Sequence, residues 1–264
     1  MNRQALNDKK TPLLYRIIRW LVWLFSPKYR LTGADRLPEG ACVIVGNHSH
    51  MYGPIAGELY IPGRHSVWCA AEMMKREDVA EYAFRDFWSG KPASTHWFYR
   101  LLSHLIAPLS ELIFQSAHTI PVYHDTRLVK TFRETVSELQ QGCRVVIFPE
   151  SYKRCNNVVY AFQDRFIDTA RFYYKKTGQA LYFVPMYLAP RLKTMAFGEP
   201  IPFCPDAPIA DERRRVCGEL MYSITALAAS LPEHTVVPYP NDIPRRRYPK
   251  SLPIEVYDDE TRDD

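Results

Sequence analysis

Six short apolar runs alternate with stretches of helical spacing along most of this chain, and that alternation restricts the fold more than any other feature. The runs are ACVIVG at 41–46, SVWCAA at 66–71, HTIPV at 118–122, RVVIF at 144–148, LYFVPMYLA at 181–189 and TMAFG at 194–198. Each has the length of a strand rather than of a helix. Between them apolar residues recur at helical spacing. Leu128, Phe132, Val136 and Leu139 mark 127–141, closed by Gly142. Phe162, Phe166, Ala170 and Tyr173 mark 162–177, stopped by Gly178, and Val216, Leu220, Ile224, Leu227 and Leu231 mark 208–231. A shorter helix is expected at 54–60. Strands alternating with helices predict an α/β fold with a mostly parallel sheet flanked by helices.

At 264 residues the chain suits one such domain, two at most. With 47% hydrophobic and 13% aromatic residues it can build a sizeable core, and 21 prolines against 11 glycines point to stiff loops. The net charge of +5 permits attraction to anionic lipid or acidic substrates. No basic run interleaved with stacking aromatics suggests a nucleic-acid groove, so no nucleic-acid partner is expected. The cysteines (42, 69, 143, 155, 204 and 217) form no C-x-x-C pair and read as single buried thiols of a reducing compartment. No small-residue cleavage site follows the first apolar stretch, which argues against a cleavable signal peptide. No apolar run reaches the roughly 18–20 uninterrupted residues of a membrane-spanning helix.

Thr11 and Pro12 make a helix start, with Thr as N-cap and Pro in the first turn. The segment that follows is apolar at Leu13, Leu14, Ile17, Ile18, Leu21, Val22, Trp23 and Phe25. Arg16 and Arg19 interrupt it, Pro27 ends it, and Lys28 and Arg30 lie close behind. Two readings fit this amphipathic helix. It lies in a lipid headgroup layer with Tyr15, Trp20 and Trp23 at the interface, or it packs on the protein's own core. The first makes the protein peripheral or monotopic on the cytoplasmic face of a membrane. The expected division is a polar, frayed start and interface helix at 1–30, an α/β domain at 31–232, and a Pro/Arg-rich arm with a disordered acidic tail at 233–264.

Four blocks place chemistry at strand ends: NHSHMYGP (47–54), HTIPVYHD (118–125), VVIFPES (145–151) and FVPMYLAP (183–190). The ends of strands are where open α/β sheets carry reactive side chains. His48 is the side chain best suited to take a proton near neutral pH. Its plain alternative is a structural turn histidine. Glu150 likewise reads as a functional acid or as the cap of a following helix, and His124 and Asp125 as site residues or as loop residues facing water. The aromatic stretch at 84–99 reads as core or subunit contact, or as the lining of a tunnel. Hydrolysis through Ser49 or Ser151 lacks the G-x-S-x-G elbow, and the remaining histidines show no metal-ligand spacing.

Together, in this order and over roughly residues 12–230, the blocks resemble the glycerolipid acyltransferase family, whose best-known members make phosphatidic acid from lysophosphatidic acid. The resemblance implies a glycerol-3-phosphate acyltransferase-like fold. It also implies transfer of a fatty acyl group to a hydroxyl of a lysophospholipid or related acceptor, in phospholipid biosynthesis at a membrane lipid surface. Acyl-CoA or acyl carrier protein is the co-substrate, with no metal, no other cofactor and no covalent acyl-enzyme. His48 matches the family's general base and Asn47 its neighbour. The acid that orients the base is replaced by Gly53, which leaves Glu58, about one helical turn on, or Glu150 as candidate orienters. The Arg that grips the acceptor phosphate is replaced by His124, with Arg127 a possible substitute. In the third block Phe148, Pro149 and Glu150 match. Ser151, Tyr152 and Lys153 then stand in place of Gly-Thr-Arg, and Lys153 and Arg154 are candidates for the missing positive charge. Val184 and Pro185 match the turn that helps shape the acyl-donor site. Under the resemblance a tunnel at 84–99 would be an acyl tunnel. Oxyanion donors are expected at the helix start, Gly53–Ile55, or from basic side chains. The altered positions all touch acceptor recognition, so the head group should differ from that of lysophosphatidic acid. The alternative is a catalytically silent lipid- or acyl-binding relative of the same fold.

Overall fold

The computed structural model describes residues 12–257; Thr11, the polar start and the acidic tail lie outside the described residues. Along the chain run α1 (Leu13–Phe25), β1 (Arg30–Thr32), β2 (Cys42–Gly46), α2 (Tyr52–Tyr60), β3 (His65–Ala70), α3 (Arg76–Ala83), α4 (His96–Ser116) and β4 (Thr119–Val122). After them come α5 (Leu128–Gln140), β5 (Arg144–Ile147), β6 (Glu150–Arg154), β7 (Tyr160–Phe162), α6 (Asp168–Thr177), β8 (Tyr182–Ala189), β9 (Thr194–Phe197), β10 (Ile201–Pro202) and α7 (Ile209–Ala229).

The main sheet has the order β1–β9–β8–β2–β5–β3–β4, with β10 paired to the start of β8. Its pairings are parallel except where β8 meets β9 and β10. This is the expected α/β class. Successive strand residues point to opposite faces, and both faces of the middle strands are covered, as parallel sheets require. Val43, Val45, Val145, Ile147 and Phe183 join a core with α5, α6 and α7. Ile44, Val146, Val184 and Met186 join a second core on the other face, with Ala56 of α2. Burial on two sides is why these strands are continuous apolar runs in the sequence.

Three regions differ from the sequence expectation. The predicted helix at 162–177 starts late: Tyr160–Phe162 belongs to β7, a 3-10 turn covers Asp164–Ile167, and α6 begins at Asp168. Strands β6 and β7 form a separate antiparallel hairpin. The arm after Pro232 is docked along its described length. Thr235 bridges Lys250 and Asn156 bridges Val256. The Asn157 amide donates to the carbonyls of Lys250 and Pro253 at 2.7 and 2.8 Å. His234 is buried, with its ring nitrogen 2.7 Å from the Tyr187 hydroxyl. No disulfide joins the described cysteines, and Cys204 is exposed rather than buried. Among the described residues no helix is long and apolar enough to cross a membrane.

Candidate active site

The site begins where β2 leaves the sheet between β5 and β8. The backbone passes close to β8 at Gly46, where a Cβ would lie 2.5 Å from the movable Cε of Met186 and 3.2 Å from the Met186 carbonyl oxygen. Asn47 then uses its side chain as a backbone substitute. Its Oδ1 accepts the Leu188 N–H at 2.7 Å, and its Nδ2 donates to the Leu188 carbonyl at 3.1 Å and to Ser49 Oγ at 2.8 Å. These bonds extend the β2–β8 pairing while the main chain turns away. Asn47 is thus buried and spoken for, a scaffold for the turn rather than a group facing a ligand.

Ser49 and His50 follow with φ of 48° and 54°. Two successive non-glycine residues in the left-handed region cost on the order of 1–3 kcal/mol each, and persist only when the surroundings impose them. The chain closes into α2 through Gly53 N–H, which donates to the His48 carbonyl at 3.0 Å. Ile55 N–H is taken by the Met51 carbonyl and Pro54 has no N–H, so the helix start offers no free donor at Gly53–Ile55 for an oxyanion. Gly53 itself is closed to side chains. A Cβ there would stand 2.2 Å from the His48 carbonyl oxygen and 3.1 Å from Cε1 of Phe148. The position that carries an aspartate in the resembled motif has no room for one here.

Glu150, at the start of β6, reaches the same turn. One carboxylate oxygen accepts the His48 backbone N–H at 2.6 Å and the other the Tyr160 N–H at 2.9 Å. It therefore caps no helix; it ties the His48 turn to the hairpin by its backbone and not by the imidazole. Burial pushes its pKa up to about 7 against the opposing pull of those two N–H groups. The His48 ring is flanked edge-to-face by Phe148 and Tyr239, each 5.6 Å away between centroids. Burial, and next the neighbouring His50, hold the ring's pKa down to about 4. Its Nδ1 is buried and has no hydrogen-bond partner among the described residues. Among the described residues no carboxylate is hydrogen-bonded to the ring.

Glu58 borders the same cavity as His48, and its Oε2 is buried without a hydrogen-bond partner among the described residues, but its other oxygen is engaged away from the ring. Its Oε1 accepts from the Tyr15 hydroxyl at 3.1 Å and pairs with Arg19 Nε at 3.2 Å, pinning α1 to α2. Burial and the Glu58 charge push the Tyr15 hydroxyl well above its ordinary pKa. His124 is exposed but borders the same cavity as His48. Arg127 is held by Asp125 through Nε and Nη2, at 2.9 and 2.7 Å from Oδ2, and lies over the Tyr123 ring. Lys153 and Arg154 stand on the β6 hairpin, Arg154 over the Tyr257 ring, and neither borders the cavity. Val184 and Pro185 are interior residues of β8, paired with Ile44 and Val45, away from the cavity. Sequence reading missed Phe148 as a wall of the histidine, Tyr239 on the arm, and Arg165, a cation that does border the cavity. They lie a hundred residues or more from His48 along the chain, so no local signal marked them.

That cavity has a volume of about 870 Å³ and is mostly apolar. His48 lies on its wall; Ile18 and Val22 of α1 and Ile106, Leu109 and Ile113 of α4 line it further out. Both helices are inverted relative to an ordinary surface helix. On α4 the small Ser103, Ala107 and Ser110 face inward, and Trp97, Leu101 and Leu105 are exposed. On α1 the exposed apolar set is Leu13, Leu14, Ile17, Trp20, Leu21, Val22, Leu24 and Phe25, and the buried residue is Tyr15.

No protein-family model matches this sequence, and no curated protein matches it. Among solved structures, the crystal structure of the 1-acyl-sn-glycerophosphate (LPA) acyltransferase PlsC from Thermotoga maritima aligns with 81% of this chain and 80% of that one. The TM-score is 0.45 and the sequence identity 16%.

Proposed function

We propose that the protein is an acyltransferase working at a lipid surface, moving a fatty acyl group from a thioester to a hydroxyl acceptor. The observation that carries this reading is that His48, at the carboxyl end of a central parallel strand, borders an apolar cavity running out between α1 and α4. In the reaction the acceptor O–H gives its proton to the imidazole, and its oxygen attacks the thioester carbonyl. The tetrahedral intermediate then expels the thiolate, which takes the proton back from the imidazolium to leave ester and thiol. An imidazole whose pKa burial holds down is proton-free at neutral pH, and it is a weaker base than an ordinary histidine. The acyl chain occupies the cavity. Acyl-CoA and acyl carrier protein both fit as donors. The acceptor head differs from that of lysophosphatidic acid, because Arg127 is paired with Asp125, and His124 and Arg165 stand at the cavity instead.

The exposed apolar faces of α1 and α4 support a peripheral seat on a membrane, and cysteines that form no disulfide among the described residues support its cytoplasmic side. A second reading, a silent acyl-binding relative, is favoured by one observation. The base tautomer needs an acceptor for its Nδ1 proton, and His48 Nδ1 has none among the described residues. Purified protein incubated with labelled acyl-CoA or acyl carrier protein and a panel of lysophospholipids and neutral hydroxyl acceptors separates the two. Acylated product supports the transferase. Tightly bound acyl chain without product selects the silent relative, and neither product nor binding removes both.

A further inference from the structure

The C-terminal arm reaches the His48 turn at consecutive points. Tyr239 sets its ring edge-to-face on the His48 imidazole, 5.6 Å between centroids. Tyr239 is itself packed by Tyr152 and Tyr160 of the hairpin, at 5.2 and 6.2 Å. Two residues before it, the Val237 carbonyl accepts from Ser49 Oγ at 3.5 Å; one residue after it, the Pro240 carbonyl lies 2.9 Å from His50 Nε2. That contact makes Nε2 the protonated nitrogen of His50 and leaves Nδ1 to face the Tyr248 hydroxyl, 3.5 Å away. Ser49 and His50 are the two residues held in the left-handed region. Both left-handed residues therefore hydrogen-bond to the arm, and the ring they carry into place is covered by the arm's own tyrosine.

We infer that the arm completes the active site: Tyr239 and His50 are positioning residues that fix the His48 ring where a carboxylate does so in the resembled motif. The arm is itself held from behind, by the Thr235–Lys250 bridge, by Val236 N–H on the Pro249 carbonyl at 2.9 Å, and by Asn157. A side chain at Gly53 is sterically excluded, and Glu150 grips only the backbone. Orientation of the imidazole is left to its aromatic neighbours and to the turn beneath it. The inference rests on the proposed function only for its kinetic consequence.

The test is the titration of the His48 ring, followed by NMR in the full-length protein. The titratable groups around that ring are His50 on its own turn, Glu150 on β6 and Tyr239 on the arm, with Tyr152, Asp86 and Tyr82 next to Tyr239. Tyr239→Phe keeps the ring and should leave the His48 midpoint in place. Tyr239→Ser opens the ring's flank to water and should raise the midpoint by more than one pH unit. His50→Gln retains a donor toward Pro240 and should raise the midpoint only through loss of the His50 charge, whereas His50→Ala should raise it further, as Tyr239→Ser does. Unchanged titration in Tyr239→Ser and His50→Ala overturns the inference. Should those variants fail to fold, nuclear Overhauser contacts between the His48 and Tyr239 rings of the wild-type protein decide it: present as expected, or absent and contradictory. In turnover, Tyr239→Ser should lower kcat more than it changes KM. A wild-type protein that shows the titration behaviour but no acyl transfer would sink the proposed function and leave the arm's role standing.

Discussion

Restoring the aspartate of the resembled motif should damage this protein rather than improve it. At position 53 any Cβ meets the His48 carbonyl oxygen at 2.2 Å and its carbon at 2.9 Å, both backbone atoms that cannot swing aside. Overpacking of this kind costs about 1–3 kcal/mol and occasionally more. Relief requires the His48 carbonyl to move, which also breaks its bond from Gly53 N–H, a further ~1 kcal/mol. Gly53→Ala should therefore lose about 2–4 kcal/mol. At roughly 2–4 °C per kcal/mol for a chain near this size, the melting temperature should fall by roughly 5–15 °C. Gly53→Asp should lose at least as much and gain no turnover, since the carbonyl it displaces belongs to His48. Urea denaturation and thermal melts of both variants, with parallel acyl-transfer assays, test this. A Gly53→Asp protein as stable as wild type and faster in turnover would refute the steric argument. So would an alanine variant of wild-type stability, which would leave charge rather than bulk as the obstacle.

Two further outcomes follow from the same geometry. Burial keeps His48 neutral down to about 4, below its ordinary 6.5, and Glu150 protonated up to about 7, above its ordinary 4.5. The depressed histidine contributes stability above 6.5 that is lost as pH falls toward 4. The raised carboxyl contributes stability below 4.5 that is lost as pH rises toward 7. Between 4.5 and 6.5 the folded and unfolded chains bind equal protons at this pair, so its two contributions cancel. Glu150→Gln removes one of them; relative to wild type it should lose about 3 kcal/mol more on going from pH 7 to 4, by urea denaturation. Identical pH slopes in variant and wild type would contradict the burial argument. On α4, Leu101→Ser and Leu105→Ser remove exposed apolar side chains. Each removes burial worth about 1.5–3 kcal/mol in a bilayer, so each should weaken vesicle binding by about tenfold or more and leave the melting temperature unchanged. Vesicle flotation with unaltered binding would remove α4 from the membrane surface.

The parts of this molecule that were legible in the sequence are those buried on two sides. The runs at 41–46, 144–148 and 181–189 carry no alternation because helices cover both faces of β2, β5 and β8. The hairpin was hidden because ESYKR of β6 is largely exposed and polar, and pairs only with β7. The arm was hidden because it is held by single hydrogen bonds and bridges, which leave no periodicity. At the site, the sequence pointed to His48 and to a missing acid. It could not reveal that Gly53 is filled by the His48 carbonyl, nor that Glu58 answers to Tyr15 and Arg19, 43 and 39 residues away. These are facts of close approach between distant segments, and composition or spacing does not record them.

The most direct measurement is acceptor-dependent thiol release from an acyl thioester, wild type against His48→Ala, on vesicles at neutral pH. A positioned general base contributes about 10²–10⁴-fold, so the alanine protein should lose that factor in rate and still hold the acyl chain in its cavity. Equal rates from the two proteins would contradict the assignment of proton transfer to His48.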